Sequence, residues 1–191
     1  MSAQTVPQFT HEEFPEHEGQ SNFRHEYKQG RVEMMACENH NHSQLITKAV
    51  RLLDTALDGR DCEVHSEAML VHITSANMST YPDTMVICGK PNFPDRRKNI
   101  VTNPILVVEV VSPSTENYDR NEKFRAYQQL PSLKEYVLIS QNEPLVEVFA
   151  RTDSGPWIRT GYRGLETSVR LESIAVEIPL HKLYEKIDWS H

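Results

Sequence analysis

Ile105-Leu106-Val107-Val108-Glu109-Val110-Val111 is a β-branched and aliphatic run broken by a single carboxylate, with Pro104 before it and Ser112-Pro113-Ser114 after it. Such a run reads as a strand buried on both faces of a sheet. An ionised carboxylate at that position forfeits hydration worth several kcal/mol, so a metal ion, a cationic partner or a raised pKa must compensate it. A second acid, Asp83, heads another apolar strand in Tyr81-Pro82-Asp83-Thr84-Met85-Val86-Ile87-Cys88. Two carboxylates brought together by adjacent strands can hold a divalent cation.

Working outward from these strands, His42 to about Leu57 carries Leu45, Ile46, Ala49, Val50, Leu53 and Leu57 at i, i+3, i+4 spacing, which predicts an amphipathic helix ended by Asp58-Gly59. Upstream, Phe23–Met35 alternates around Gln29-Gly30 and predicts a β-hairpin. Further strands are expected at Cys62–Ile73, Asp83–Cys88, Glu135–Ser140, Leu145–Ala150, Trp157–Tyr162 and Val169–Leu171. Helices are expected at Tyr118–Leu130, closed by Pro131, and over Pro179–Ile187. The long loop Gly89–Asn103 joins the two acid-bearing strands. These elements make one α/β (α+β) domain over residues 21–191, a mixed β-sheet flanked by helices. Residues 1–20 are polar, acidic and aperiodic, and are expected to form a flexible or loosely packed N-terminal arm.

The 191 residues suffice for one core, and no apolar run approaches the length that spans a bilayer. Residues 1–20 lack a secretion-signal pattern, so a cytoplasmic location is expected. The odd number of cysteines, Cys37, Cys62 and Cys88, without a CxxC pair, predicts free thiols in a reducing compartment. Nine scattered histidines, with His40-Asn41-His42 the closest pair, do not make a zinc pattern. A formal charge of −7 excludes a broad nucleic-acid-binding surface but leaves room for a local basic patch.

The order of motifs carries more than any one of them. Pro82-Asp83, then Glu109-Val110-Val111-Ser112-Pro113-Ser114-Thr115, then Asp119-Arg120-Asn121-Glu122-Lys123-Phe124-Arg125-Ala126-Tyr127, then Leu130-Pro131-Ser132-Leu133-Lys134-Glu135-Tyr136-Val137 together resemble the Uma-two family. His25-Glu26-Tyr27-Lys28-Gln29-Gly30-Arg31-Val32-Glu33 is similar to that family's opening segment, and the likeness runs from about Phe23 to Ile187. The family consists of restriction-endonuclease-like domains of the PD-(D/E)XK nuclease superfamily. The resemblance implies a restriction-endonuclease-like core and a Mg²⁺-dependent (or Mn²⁺-dependent) endonuclease acting on DNA. Asp83 and Glu109 would be its metal ligands, Lys123 its catalytic lysine, and Glu26, His42, Ser112 and Tyr127 its supporting residues. Double-strand cutting in this superfamily commonly pairs two active sites, so the resemblance also implies a homodimer; the C-terminal stripe Leu180, Leu183, Tyr184 and Ile187 is a candidate interface, with packing on its own sheet the preferred reading. Where the superfamily places a lysine two residues after the strand glutamate, this chain has Val111. In the Uma-two family that lysine stands on the following helix, so the resemblance gives its role to Lys123, with Lys90 and Lys98 as substitutes.

Each residue also has a purely structural reading. Glu109 can be a core acid paired with Lys123 or Arg125, Asp83 a turn residue after Pro82, and Lys123 the partner of Asp119 at i, i+4. Ser112 fits turn chemistry better than catalysis. The competing functions are a catalytically silent nuclease-fold module that binds nucleic acid or a protein partner, and a metal-dependent enzyme acting on another small phosphoester or acyl substrate.

Overall fold

Two sheets share one core in the computed structural model, which describes residues 9–35, 39–96, 98–153 and 155–189. Helix α1 (Phe14–Gln20) precedes the hairpin β1 (His25–Lys28) and β2 (Arg31–Met34). Helix α2 (His40–Leu57) leads to β3 (Cys62–Ser66), β4 (Leu70–Ile73), β5 (Met78–Thr80), β6 (Thr84–Cys88), β7 (Ile100–Val101) and β8 (Leu106–Val111). A helical stretch over 116–127 follows, made of α3 (Glu116–Tyr118), a π-helical turn (Asp119–Lys123) and α4 (Phe124–Tyr127). The chain ends with β9 (Glu135–Ser140), β10 (Leu145–Ala150), β11 (Ile158–Arg163), β12 (Ser168–Leu171), β13 (Val176–Pro179) and α5 (Leu180–Leu183).

The five-stranded sheet has the order β2-β1-β5-β4-β7, and the six-stranded sheet the order β11-β10-β9-β8-β6-β3. Both are mixed. Only β4–β7 and β8–β9 pair in parallel. The parallel β8–β9 step needs a crossover, and the 116–127 helical stretch supplies it, as parallel neighbours require. Every residue of β8 is buried. Leu106, Val108 and Val110 join the core under α2 and α5, whereas Val107 and Val111 join the core shared by the two sheets. Strand alternation therefore turns Glu109 toward that second side, where the 116–127 stretch packs. Burial of Leu45, Ile46, Ala49, Leu53 and Leu57 fixes α2 against the opposite side; each large apolar side chain contributes about 1.5–3 kcal/mol.

Two expectations change. The single strand expected over Cys62–Ile73 is two, β3 and β4, which belong to different sheets. β3 is half-exposed while every residue of β4 is buried, and the crossing falls in the turn between them. Second, Cys62 and Cys88 are not free thiols. They lie directly opposite in the antiparallel β3–β6 pair, with Cα atoms 3.9 Å apart, and form a disulfide; Cys37 lies outside the described residues. Leu180, Leu183, Tyr184 and Ile187 are buried in the chain's own core, the packing preferred for them from sequence, and do not offer an interface. The described part of residues 1–20 includes a first helix, α1, whose Phe14 is fully buried against Tyr27. No helix among the described residues is long and apolar enough to cross a membrane.

Candidate active site

The chain passes from one sheet to the other through Tyr81-Pro82-Asp83, between the end of β5 and the start of β6. That crossing puts Asp83 against the middle of β8. The two acids are tied reciprocally: the Val110 amide donates to Asp83 Oδ2 at 2.7 Å, and the Asp83 amide donates to Glu109 Oε2 at 3.4 Å. On the other side of Glu109, Lys123 Nζ lies 2.9 Å from Oε1, and the Tyr127 hydroxyl donates to the same oxygen at 3.3 Å. Lys123 and Tyr127 are four residues apart on the helical stretch and so share the face turned to β8.

His42 reaches the site from the first turn of α2, its Nε2 3.3 Å from Asp83 Oδ2. Asn39 caps that helix, its side chain accepting the His42 amide at 3.0 Å, which fixes where the imidazole leaves the backbone. Glu26, on β1, closes the far side. It accepts from the Thr80 hydroxyl, from the Tyr118 hydroxyl at 2.9 Å and from Lys28 Nζ at 3.3 Å, and it stands 3.5 Å from Lys123 Nζ. Asp119, one helical turn before Lys123, has Oδ1 3.9 Å from the same ammonium. Glu26, Lys28, His42, Asp83, Glu109, Tyr118, Asp119 and Lys123 line a cavity of about 180 Å³, with Tyr127 and Thr80 behind its wall as hydrogen-bond partners of Glu109 and Glu26.

Of the residues expected from sequence, Asp83, Glu109, Lys123, Glu26, His42 and Tyr127 therefore converge. Ser112 does not line the cavity. Its hydroxyl pairs with those of Ser114 and Thr115 in the turn that opens α3, and Thr115 takes the lining position. Lys90 and Lys98 do not line it either; the lysines that do are Lys28 and Lys123. Sequence reading missed Asp119, Lys28, Thr80 and Tyr118. Two signals were present: Asp119 and Lys123 stand at i, i+4, and period-two alternation puts Lys28 on the same face as Glu26.

The electrostatics are those of an acid-rich pocket. Glu26, Asp83, Glu109 and Asp119 are all buried, and Lys123 is the buried ammonium among them. Burial pushes the Glu109 carboxyl well above the usual range; Lys123 pulls against it, while Asp83 and Asp119 add to it. Burial likewise raises Asp119. Burial alone would lower Lys123, but Glu109, Glu26 and Asp119 outweigh it, so its pKa lies well above the ordinary value and it stays an ammonium. Glu26 falls below its usual range despite burial, because Lys123, Lys28 and two hydroxyls satisfy it.

Among the described residues no group of three or more His, Cys, Asp or Glu side chains is arranged around one metal position. A hard cation that takes one or two carboxylates and retains several waters still fits the donor set. Asp83 and Glu109 offer oxygens only, and a buried carboxylate raised by its own desolvation is one that added positive charge would return to the ionised state.

A family profile described as "Uma2: Putative restriction endonuclease" matches residues 11–181. Two proteins of Synechocystis sp. (strain ATCC 27184 / PCC 6803 / Kazusa) are similar over nearly their whole length. Uncharacterized protein slr1290 is 33% identical over 180 residues, covering 93% of this chain and 92% of its own. Uncharacterized protein sll1609 is 31% identical over 176 residues, covering 92% and 99%. Among solved structures, a putative nuclease belonging to DUF820 from Anabaena variabilis ATCC 29413 superimposes with a TM-score of 0.70 at 16% identity, over 86% of this chain and 91% of that one. At that identity the likeness is one of fold.

Proposed function

The chain belongs to the Uma2 family of putative restriction endonucleases, and from that premise we propose that it is a Mg²⁺-dependent endonuclease hydrolysing DNA phosphodiester bonds. The observation that supports this most is the surplus of buried carboxylates around the single buried ammonium of Lys123. A structural ion pair needs one acid. Four acids converge on one cavity, and the raised carboxyls of Glu109 and Asp119 are groups that a further cation would return to the ionised state.

Asp83 and Glu109 would hold the ion. When bound, it supplies a more acidic water and offsets charge on the phosphate oxygens. The remaining work belongs to the side chains. Lys123, kept protonated by three carboxylates, acts as a fixed positive charge toward the phosphate or orients the attacking water, and does not serve as the base. Glu26 and Asp119 hold that ammonium in place. His42 and the Val110 amide fix Asp83, and Tyr127 fixes Glu109.

Calorimetric titration of Mg²⁺ and Mn²⁺ into the wild type and the Asp83→Asn, Glu109→Gln double variant, beside a plasmid-nicking assay, tests this reading. Metal binding and nicking that both vanish in the variant support it. Undiminished nicking in the variant would sink it. DNA binding with metal but no cleavage of any substrate would favour the silent-module reading, which the acidic net charge motivates.

A further inference from the structure

A second cavity, of about 670 Å³, opens beside the site and shares Lys28 and Glu33 with it. One wall is the β1–β2 hairpin. Its turn residues Gln29 and Gly30 have φ of 49° and 94°, as a two-residue hairpin turn requires, and this sets Lys28 directly opposite Arg31 and Glu26 opposite Glu33. All four side chains lie on one face of the hairpin. From the site outward, that face runs from the buried Glu26 through Lys28 to Arg31 at the turn. The other wall is the outer side of the 116–127 stretch and its exit, where Glu122, Arg125 and Gln129 recur at helical spacing. Lys123, between them in sequence, turns inward.

The charge along this groove is uneven. Lys28 is taken up by Glu33 at 2.8 Å and Glu26 at 3.3 Å. Arg31 and Arg125 are exposed and, among the described residues, have no carboxylate within ion-pair distance. The groove thus begins at the acid-rich site and carries Arg31 and Arg125 away from it, two guanidiniums against the exposed carboxylate of Glu122, with Glu33 paired to Lys28 and the Gln29 and Gln129 amides as further donors. A ligand that fits this sequence of charge carries one phosphate for the metal site and another next to it on a continuous chain.

We propose that this groove takes the sugar–phosphate backbone of the DNA strand on one side of the scissile bond, with Arg31 and Arg125 contacting its phosphates. This rests on the nuclease reading of the neighbouring site. Phosphate contacts add affinity without reading sequence, and each released counterion steepens the salt dependence of binding. In an otherwise acidic protein, a short cationic track at the site is what allows a polyanion to approach.

The test measures binding of a short DNA duplex, and of RNA of the same sequence, to wild type, Arg31→Ala/Arg125→Ala and an Arg170→Ala control over a salt series in Ca²⁺, with cleavage in Mg²⁺. The double variant is expected to bind DNA about tenfold or more weakly at low salt, with a log–log salt slope shallower by about two, while Arg170→Ala matches wild type. Arg31→Lys/Arg125→Lys should keep most of the slope, and thermal melting should show all variants folded. A wild type that cuts DNA while the double variant binds with unchanged affinity or unchanged slope overturns the groove and leaves the nuclease standing. A loss confined to RNA overturns the DNA assignment. A wild type that neither binds nor cuts nucleic acid overturns both.

Discussion

Lys123 Nζ lies 2.9 Å from Glu109 Oε1, a contact between an all-buried strand and the end of a π-helical turn in the crossover that follows it. Val111 and Glu109 share the strand face on which the helical stretch packs, so Lys123 reaches Glu109 on the same side of the sheet as Val111. Lys123→Met should remove nicking by on the order of a hundredfold or more. It should also cost about 3–5 kcal/mol of stability, since breaking a buried pair strands the remaining charge. Adding Glu109→Gln should restore part of the stability in chemical denaturation and none of the activity. A double variant that recovers nicking would show that the pair is structural only.

His42 depends on a cap. Asn39→Ala removes the acceptor for the His42 amide at the start of α2 and should cost about 1 kcal/mol in denaturant titration. His42→Ala, with the cap intact, should leave stability nearly unchanged. It should lower metal affinity or nicking by roughly tenfold or more, as loss of a neighbour that orients a ligating carboxylate does. Equal effects of the two substitutions on stability would mean that His42 serves the helix rather than Asp83.

These relationships were unequally legible beforehand. β8, the Gln29-Gly30 hairpin and α2 each carry their own periodicity, and the structure places them within a few residues of expectation. The pairing of Asp83 with Glu109 followed from two acids in otherwise apolar strands. What could not be read depends on contacts distant in sequence. Nothing local reveals that the chain changes sheets between Ser66 and Leu70, or that Glu26 on the first sheet reaches Lys123. Asp119 was visible as the i, i+4 partner of Lys123, but its burial comes from the packing of the π-helical turn.

The Cys62–Cys88 bridge closes a separation of 26 residues between β3 and β6, and β6 begins immediately after Asp83. A loop of that size is stabilised by about 3 kcal/mol when cross-linked. Adding reductant should lower the denaturation free energy by roughly that amount, and Cys62→Ala/Cys88→Ala should remove the response to reductant. Identical denaturation curves with and without reductant in the wild type would show that the bridge does not form in solution.

His72 on β4 gives a pH dependence that is separate from the site. Burial lowers its pKa to about 4, with neighbouring His11 adding to the effect and the Met78 backbone opposing it. The His11 ring lies 3.4 Å from it, centroid to centroid, and Nδ1 of His72 pairs with the Ser79 hydroxyl at 3.0 Å. Above pH 6.5 the imidazole is neutral whether folded or unfolded, and it contributes no pH slope. Between 6.5 and about 4 the unfolded chain takes a proton that the folded one refuses, so stability falls as pH falls, by at most about 3 kcal/mol. Below about 4 both states are protonated and the decline from this group ends. His72→Phe should therefore flatten the stability curve between pH 6.5 and 4 relative to wild type, although it leaves Ser79 without its ring partner and lowers the curve as a whole. Parallel curves for the two proteins across that window would mean that His72 titrates normally in the fold.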